Sequence, residues 1–307
     1  MMSVALYTHP DMLDHRPREG HPERPERLAA VCEALSAAAQ LDLDVREAPL
    51  IEPADLALVH GERHVKRLQA FAPQEGVRLV DPDTEMSPGS LRAARLAAGA
   101  VAEAVRAVAA GDIPRAFCAV RPPGHHAGPD FAMGFCLLSN VAIGARVAQA
   151  SGLARAAVAD FDVHHGNGTQ AVFEADPTLF FASVHESPNY PGTGAASETG
   201  VGNIANAPVP PMAPREVWRK AFEGLMEHID AFAPDIILIS AGFDAHARDP
   251  LADQALEAED YAWATRAIAE VARRRCGGKL VSTLEGGYDL RGLADSAVAH
   301  VRAMRGE

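Results

Sequence analysis

Asp160-Phe161-Asp162-Val163-His164-His165-Gly166-Asn167-Gly168-Thr169-Gln170 is the stretch on which the reading of this chain turns. It follows Ala156-Ala157-Val158-Ala159, a small apolar run of the kind that forms a buried strand. Alternate side chains of a strand share a face, which puts Asp160, Asp162 and His164 on one side at the strand's end. Gly166 and Gly168 then break the strand. Two carboxylates and an imidazole are costly to bury unpaired. A divalent cation between Asp162 and His164 would neutralise them, with Asp160 standing behind.

The same pattern recurs along the chain. Ala116–Val120 reads as a buried strand that ends in Arg121-Pro122-Pro123-Gly124-His125-His126-Ala127-Gly128. Asp235–Ser240 is the clearest buried strand and ends in Ala241-Gly242-Phe243-Asp244. Lys279–Leu284 ends in Glu285-Gly286-Gly287-Tyr288. Further strands are expected at Val4–Tyr7 and Thr178–Val184. Helices are expected from Pro25 to about Gln40, over 53–72, Leu91–Ala110, Asn140–Ala150, Arg215–Phe232 and 257–275, and from the Tyr288 turn to Arg305. The alternating Glu and Arg of Glu23–Arg27 read as a solvated helix start. Residues 80–90 read as a loop, and 186–216 as a long stretch without periodicity, of the kind that is functional more often than idle. Small and β-branched strands alternating with amphipathic helices make an α/β protein, a central parallel sheet flanked by helices. No repeat or linker divides residues 1–307, so a single domain is expected. In such sheets ligands bind beyond the carboxyl ends of the strands, where all four polar clusters lie.

The bulk numbers narrow the function. Of 307 residues, 48% are hydrophobic, enough for a large core. A formal charge of −13 argues against nucleic acid as a direct partner. The four cysteines are scattered without a Cys-x-x-Cys, which argues against a disulfide framework and a structural zinc site. No apolar run is long enough to span a bilayer and none resembles a signal peptide, so a cytoplasmic enzyme is expected.

Asp162, His164 and Asp244 supply two oxygens and one nitrogen, the three-ligand pattern of a catalytic zinc site. Two carboxylates also suit Fe(II) or Mn(II). His125 and His126 suit proton transfer to and from water and a leaving amine, and Tyr288 suits donation to an oxyanion. No serine or cysteine has a nucleophile's setting. Attack by water on an amide is the reaction these parts make together.

Laid out this way, the chain resembles the zinc-dependent histone deacetylase family, with its bacterial amidohydrolase and acetylpolyamine amidohydrolase members. The resemblance rests on Gly20–Leu28, Arg121–Gly128, Gly134–Asn140, Asp160–Gln170, Tyr190–Gly194, Ser240–Asp244 and Glu285–Tyr288. It implies the arginase–deacetylase fold. It also implies that Asp162, His164 and Asp244 hold zinc, that His125 and His126 are the tandem histidines, and that Tyr288 is the oxyanion tyrosine. Asp160 then backs His125. Asn167 stands where some members have an aspartate behind the other histidine, which assigns the class II-like branch. Phe135 and Tyr190 resemble the walls of an acyl-lysine tunnel, flanked by Gly134 and Gly287, with Leu251 at the rim. Asp83 matches the aspartate that holds the substrate backbone, with Asp81 as its alternative. The family also carries monovalent-cation sites. One would use oxygens of Asp160, Asp162, His164, Ser183 and Val184. A second would use backbone oxygens near Phe173, Asp176 and Leu179, and potassium is expected in both.

Two rivals are weighed on residues. An arginase-like ureohydrolase needs bridging carboxylates where this chain has Gly166 and His246. A non-enzymatic acyl-binding protein would not need Tyr288, both histidines and all three ligands. The substrate expected is an acyl-lysine protein or peptide, or else an acylated polyamine or other small amide. For a polyamine, an acidic rim residue would help; Leu251 is apolar, and Glu186 or Asp83 could take that part.

Overall fold

β9, Ile236–Ala241, has every residue buried, and its Ile-Ile-Leu-Ile run leaves no face for water. A strand of that kind belongs in the middle of a parallel sheet covered on both sides. The computed structural model, which describes residues 2–307, places it there. The other strands of this sheet are β1 (Ala5–Thr8), β2 (Asp44–Glu47), β5 (Arg115–Cys118), β6 (Ala156–Asp160), β7 (Leu179–Glu186), β8 (Ile204–Val209) and β10 (Leu280–Leu284). All pairings are parallel, in the order β2-β1-β5-β10-β9-β6-β7-β8.

Helices cover both faces. α4 (Ser90–Ala110) packs on α5 (Asn140–Ala150), and the two lie on β1, β5, β10, β9 and β6. On the other face α1 (Pro25–Ala37), α9 (Leu290–Arg305), α8 (Ala258–Cys276) and α7 (Arg215–Phe232) form a row in which each touches the next. The short α2 (Pro53–Leu56), α3 (Glu62–Phe71) and α6 (Asn167–Phe173) complete the set. α8 opens on a capping box of Glu257 and Asp260, and its last turn carries Arg273, Arg274 and Arg275 against the negative end of the helix. Asp289 caps α9 by accepting the Gly292 N–H at 2.8 Å, which pins the turn just after Tyr288. No helix among the described residues is long and apolar enough to cross a membrane.

Several local expectations fail for physical reasons. The strand before the central motif ends at Asp160, so Asp162 and His164 stand on a turn, not on a continued pleat. The 80–90 stretch holds a two-stranded antiparallel ribbon, β3 (Arg78–Asp81) with β4 (Thr84–Met86). The 186–216 stretch contains β8, whose Pro208 is tolerated because β8 is an edge strand. The opposite edge, β2, is polar and lacks the apolar run that marks a buried strand. The 53–72 segment is two helices, not one.

Glu23 and Arg27, read as solvated, are fully buried. Arg27 bonds Glu23 at 3.2 Å, and Glu23 also takes both forks of the buried Arg121 at 2.8 and 2.7 Å. Mutual pairing lets these charges leave water. A local charge pattern carries no record of such distant partners.

Candidate active site

Four neighbouring strands, β5, β10, β9 and β6, deliver the polar clusters to one end of the sheet. After β6 come Asp162 and His164, and after β9 comes Asp244. One ligand-type atom from each lies within 4.8 Å of the others, and all three residues are buried. His164 Nδ1 is 3.1 Å from Asp162 Oδ1 and 3.1 Å from Asp244 Oδ2. The backbone fixes both carboxylates: Gly286 N–H donates to Asp162 Oδ2 at 2.8 Å and Val163 N–H to Asp244 Oδ1 at 2.9 Å. A Cβ on Gly242 would collide with the Asp162 carboxylate, and one on Gly286 with those of Asp162 and Asp244. Among the described residues neither carboxylate pairs with a lysine or arginine. A buried two-oxygen, one-nitrogen set with no fixed cation is what a divalent metal fits.

The electrostatics of the chain alone carry the same message. Burial lowers the His164 pKa, but hydrogen bonds to Asp162 and Asp244 override it and hold it well above the ordinary value. Burial, then the charge of Asp162, raises Asp244.

The tandem histidines follow β5. His125 Nδ1 is 3.1 Å from Asp160 Oδ2, and His126 Nδ1 is 2.8 Å from Asn167 Oδ1. Their rings lie 4.0 Å apart. Burial works against a charged His125, yet Asp162 and Asp160 carry its pKa up to about 10. Burial, then His125 and His164, holds His126 well below the usual value. The two imidazoles are thus driven in opposite directions, one by the carboxylates of Asp162 and Asp160, the other by burial beside two further histidines.

Tyr288 closes the arrangement. Its N–H donates to Asp249 Oδ2 at 2.7 Å, and the Arg27 guanidinium lies 4.9 Å from its ring centre. Burial, then Asp244, raises its pKa well above that of an ordinary phenol, so it remains a donor.

A cavity of about 220 Å³ leads to these groups. Asp83, Gly134, Phe135, Tyr190 and Leu251 line it, with His126, His164 and Tyr288, and Asn189 adds a wall residue that the sequence did not single out. Phe135 holds a φ of 68°, an uncommon conformation for an aromatic residue. Asp83 Oδ1 accepts the Gly134 N–H at 3.0 Å and the Thr84 hydroxyl at 2.8 Å, which ties the β3–β4 ribbon to the Phe135 wall. Gly287 does not line the cavity. It sits beside Tyr288 at a φ of 120°, its carbonyl accepting from Arg27 Nε at 2.6 Å. Glu186 is no rim acid. It is buried and accepts from Asn189 at 2.8 Å, Asp253 at 3.1 Å and Gln254 at 2.9 Å.

Sequence reasoning also missed Glu285 and Asp249. The Glu285 carboxylate accepts the Gly124 and His125 N–H groups at 2.6 and 3.1 Å. Its place at the head of the Gly-Gly-Tyr turn was the available signal. Of the two expected monovalent-cation sites, the first has Asp160 opposite Ser183 across the β6–β7 pair, with Val184 next along β7. The second is not free for a cation. The carbonyls of Phe173, Asp176 and Leu179 converge on the side-chain nitrogen of Asn203, at 2.8, 2.9 and 2.8 Å.

Comparison with known proteins agrees with this geometry. The family model for the histone deacetylase domain matches residues 21–304. Histone deacetylase 15 of Arabidopsis thaliana is 40% identical over 304 residues, covering 94% of this chain, which spans 53% of that protein's length. A histone deacetylase-like amidohydrolase of Pseudomonas aeruginosa is 37% identical over 279 residues, covering 88% of this chain and 73% of that one. The crystal structure of the HDA15 HD domain superposes with a TM-score of 0.93 at 37% identity, over 100% of this chain and 89% of that one. With the match running over nearly its whole length, this chain belongs to the histone deacetylase domain family.

Proposed function

We propose that this chain, as one catalytic domain, is a zinc-dependent amide hydrolase that removes acetyl or other acyl groups from lysine side chains. Its deacetylase and amidohydrolase relatives support hydrolysis as the reaction class. The observation that carries the finer reading is the convergence of Asp162, His164 and Asp244 below a narrow cavity that His126 and Tyr288 also line.

Asp162, His164 and Asp244 would hold a divalent cation, which would supply Lewis acidity towards an amide carbonyl and a lowered pKa for water. The chain's own groups do the rest. His126 is the histidine that lines the cavity, and its Nδ1–H donates to Asn167, which leaves Nε2 to accept a proton from water and return it to the amine. His125, anchored by Asp160, lies behind it and sets the charge against which that proton moves. The Tyr288 hydroxyl donates to the carbonyl oxygen as charge grows there. Phe135 and Tyr190 exclude water from an extended aliphatic chain. Potassium at the Asp160, Asp162, His164, Ser183 and Val184 oxygens would brace the loop that carries two of the three ligands.

Lysine is preferred over a polyamine because Glu186 is engaged internally and Leu251 is apolar, so the rim offers Asp83 alone for a distal ammonium. The test is acetate release by the zinc-loaded protein from an acetyl-lysine peptide, longer acyl-lysine peptides and acetylated polyamines side by side. Turnover of the peptide that a chelator abolishes and zinc restores is the expected result. Faster turnover of the polyamine would overturn the substrate assignment, and metal-independent turnover the mechanism.

A further inference from the structure

We infer that Asn203 is a built-in substitute for a monovalent cation, and that the carbonyl cage of Phe173, Asp176 and Leu179 is closed by the chain's own amide. The three carbonyls come from the last residue of α6, the turn after it and the first residue of β7. Their oxygens point at one spot. Carbonyl dipoles aimed at a common centre repel unless something positive stands there, and the end of α6 adds the negative pole of its own backbone.

The centre is occupied by Asn203 Nδ2, at 2.8, 2.9 and 2.8 Å from the three oxygens. An amide nitrogen has two hydrogens, so three acceptors at these distances exceed its pairwise capacity. It therefore serves as a compact positive centre and not only as a donor to chosen partners. Its orientation is forced. Asn203 Oδ1 accepts the Val201 N–H at 3.2 Å, and a flipped amide would set an oxygen against three oxygens while facing Val201 with a donor.

The residue cannot drift from this place. It is 3% exposed, its N–H donates to Thr199 at 3.1 Å, and its carbonyl accepts from Phe181 at 3.0 Å. A cation in the cage would need the volume the nitrogen fills, so amide and ion exclude each other. The first oxygen set, at Asp160, Asp162, His164, Ser183 and Val184, has no such amide among its members. Of the two oxygen sets, only that first one is left open to potassium.

Thallium(I), a heavy stand-in for potassium, tests the assignment in crystals through its anomalous signal. Wild type is expected to show no thallium in the cage, and Asn203→Ala to show it there. Thallium in the wild-type cage with Asn203 turned aside overturns the inference, as does an Asn203→Ala cage that stays without thallium. Melting in tetramethylammonium chloride against potassium chloride gives a solution readout, with all variants purified in potassium. Asn203→Ala and Asn203→Asp are expected to gain more from potassium than wild type does. Asn203→Asp should gain most, because a carboxylate beside three carbonyls calls for a cation. Equal gains in all three proteins overturn the inference. Neither readout depends on hydrolysis of any amide.

Discussion

One carboxylate, that of Asp249, holds Tyr288 and the rim together: it accepts the Tyr288 N–H at 2.7 Å through one oxygen and the Leu251 N–H at 3.0 Å through the other. The side chain that places Tyr288 therefore also places Leu251 at the mouth of the cavity. Asp249→Ala is expected to lower kcat about tenfold or more while zinc content stays at wild-type level. Asp249→Asn, which retains one acceptor, should fall between. Metal analysis with steady-state kinetics checks this, and loss of metal in Asp249→Ala would mean a wider collapse.

Tyr288→Phe keeps the ring between Phe135 and Arg27 and removes only the hydroxyl. An oxyanion donor acts in the transition state, so the loss belongs in kcat and not in KM. Its size should be about 10²–10³-fold. A change confined to KM would take Tyr288 out of the reaction.

His126→Ala and His125→Ala are both expected to retain metal and lose turnover, His126→Ala by roughly 10²-fold or more as the group that moves the proton, His125→Ala through the charge it sets behind it. His126→Ala should be the more severe, because His126 lines the cavity and His125 does not. Wild-type rates in either variant would make that histidine structural.

Asp244→Ala should lose metal and activity together. Asp244 is the one candidate ligand that comes from β9, and without it Asp162 and His164 span only part of the centre. Elemental analysis after dialysis decides the matter.

Acid should destabilise the fold through buried histidines held neutral outside the lining of the cavity. His300 is fully buried among Phe117, Phe161 and Phe243, and burial lowers its pKa to about 3. Burial, then His64, lowers His60 to about 3 as well. An unfolded histidine takes its proton near pH 6.5. Their contribution is therefore intact above about pH 6.5 and is lost as pH falls towards 3, with a limiting slope of about 1.4 kcal/mol per pH unit for each group. Urea unfolding at pH 7.5 and 5 should show the loss, and His300→Gln should flatten it.

Much of this was legible in the sequence because the site hangs on strand ends. Apolar runs such as Ile236–Ile239 announce central strands, and the polar residues directly after them announce the site. Tightly spaced motifs carried Asp162, His164, His125, His126 and Tyr288 to one place. The edges were harder. β2 is polar and β8 contains a proline, so neither has the pattern of a buried strand. Long-range pairing was harder still. Nothing near Glu23 or Arg27 says that Arg121 and the Glu285–Gly287 backbone wait to receive them. Asn203 likewise looks like any loop asparagine until the three carbonyls around it are seen.

The order of strands has one more consequence. β10 is last in sequence but lies between β5 and β9 in the sheet. A chain synthesised as far as Gly278 already contains Asp162, His164, Asp244 and both tandem histidines. It lacks the strand that joins the β2-β1-β5 half to the β9-β6-β7-β8 half, and it lacks the Gly286 N–H that steadies Asp162. Until Leu280–Leu284 is made, the two half-sheets have no strand between them, so the pairing that unites the sheet and the bond that steadies Asp162 arrive together with β10 and the turn after it.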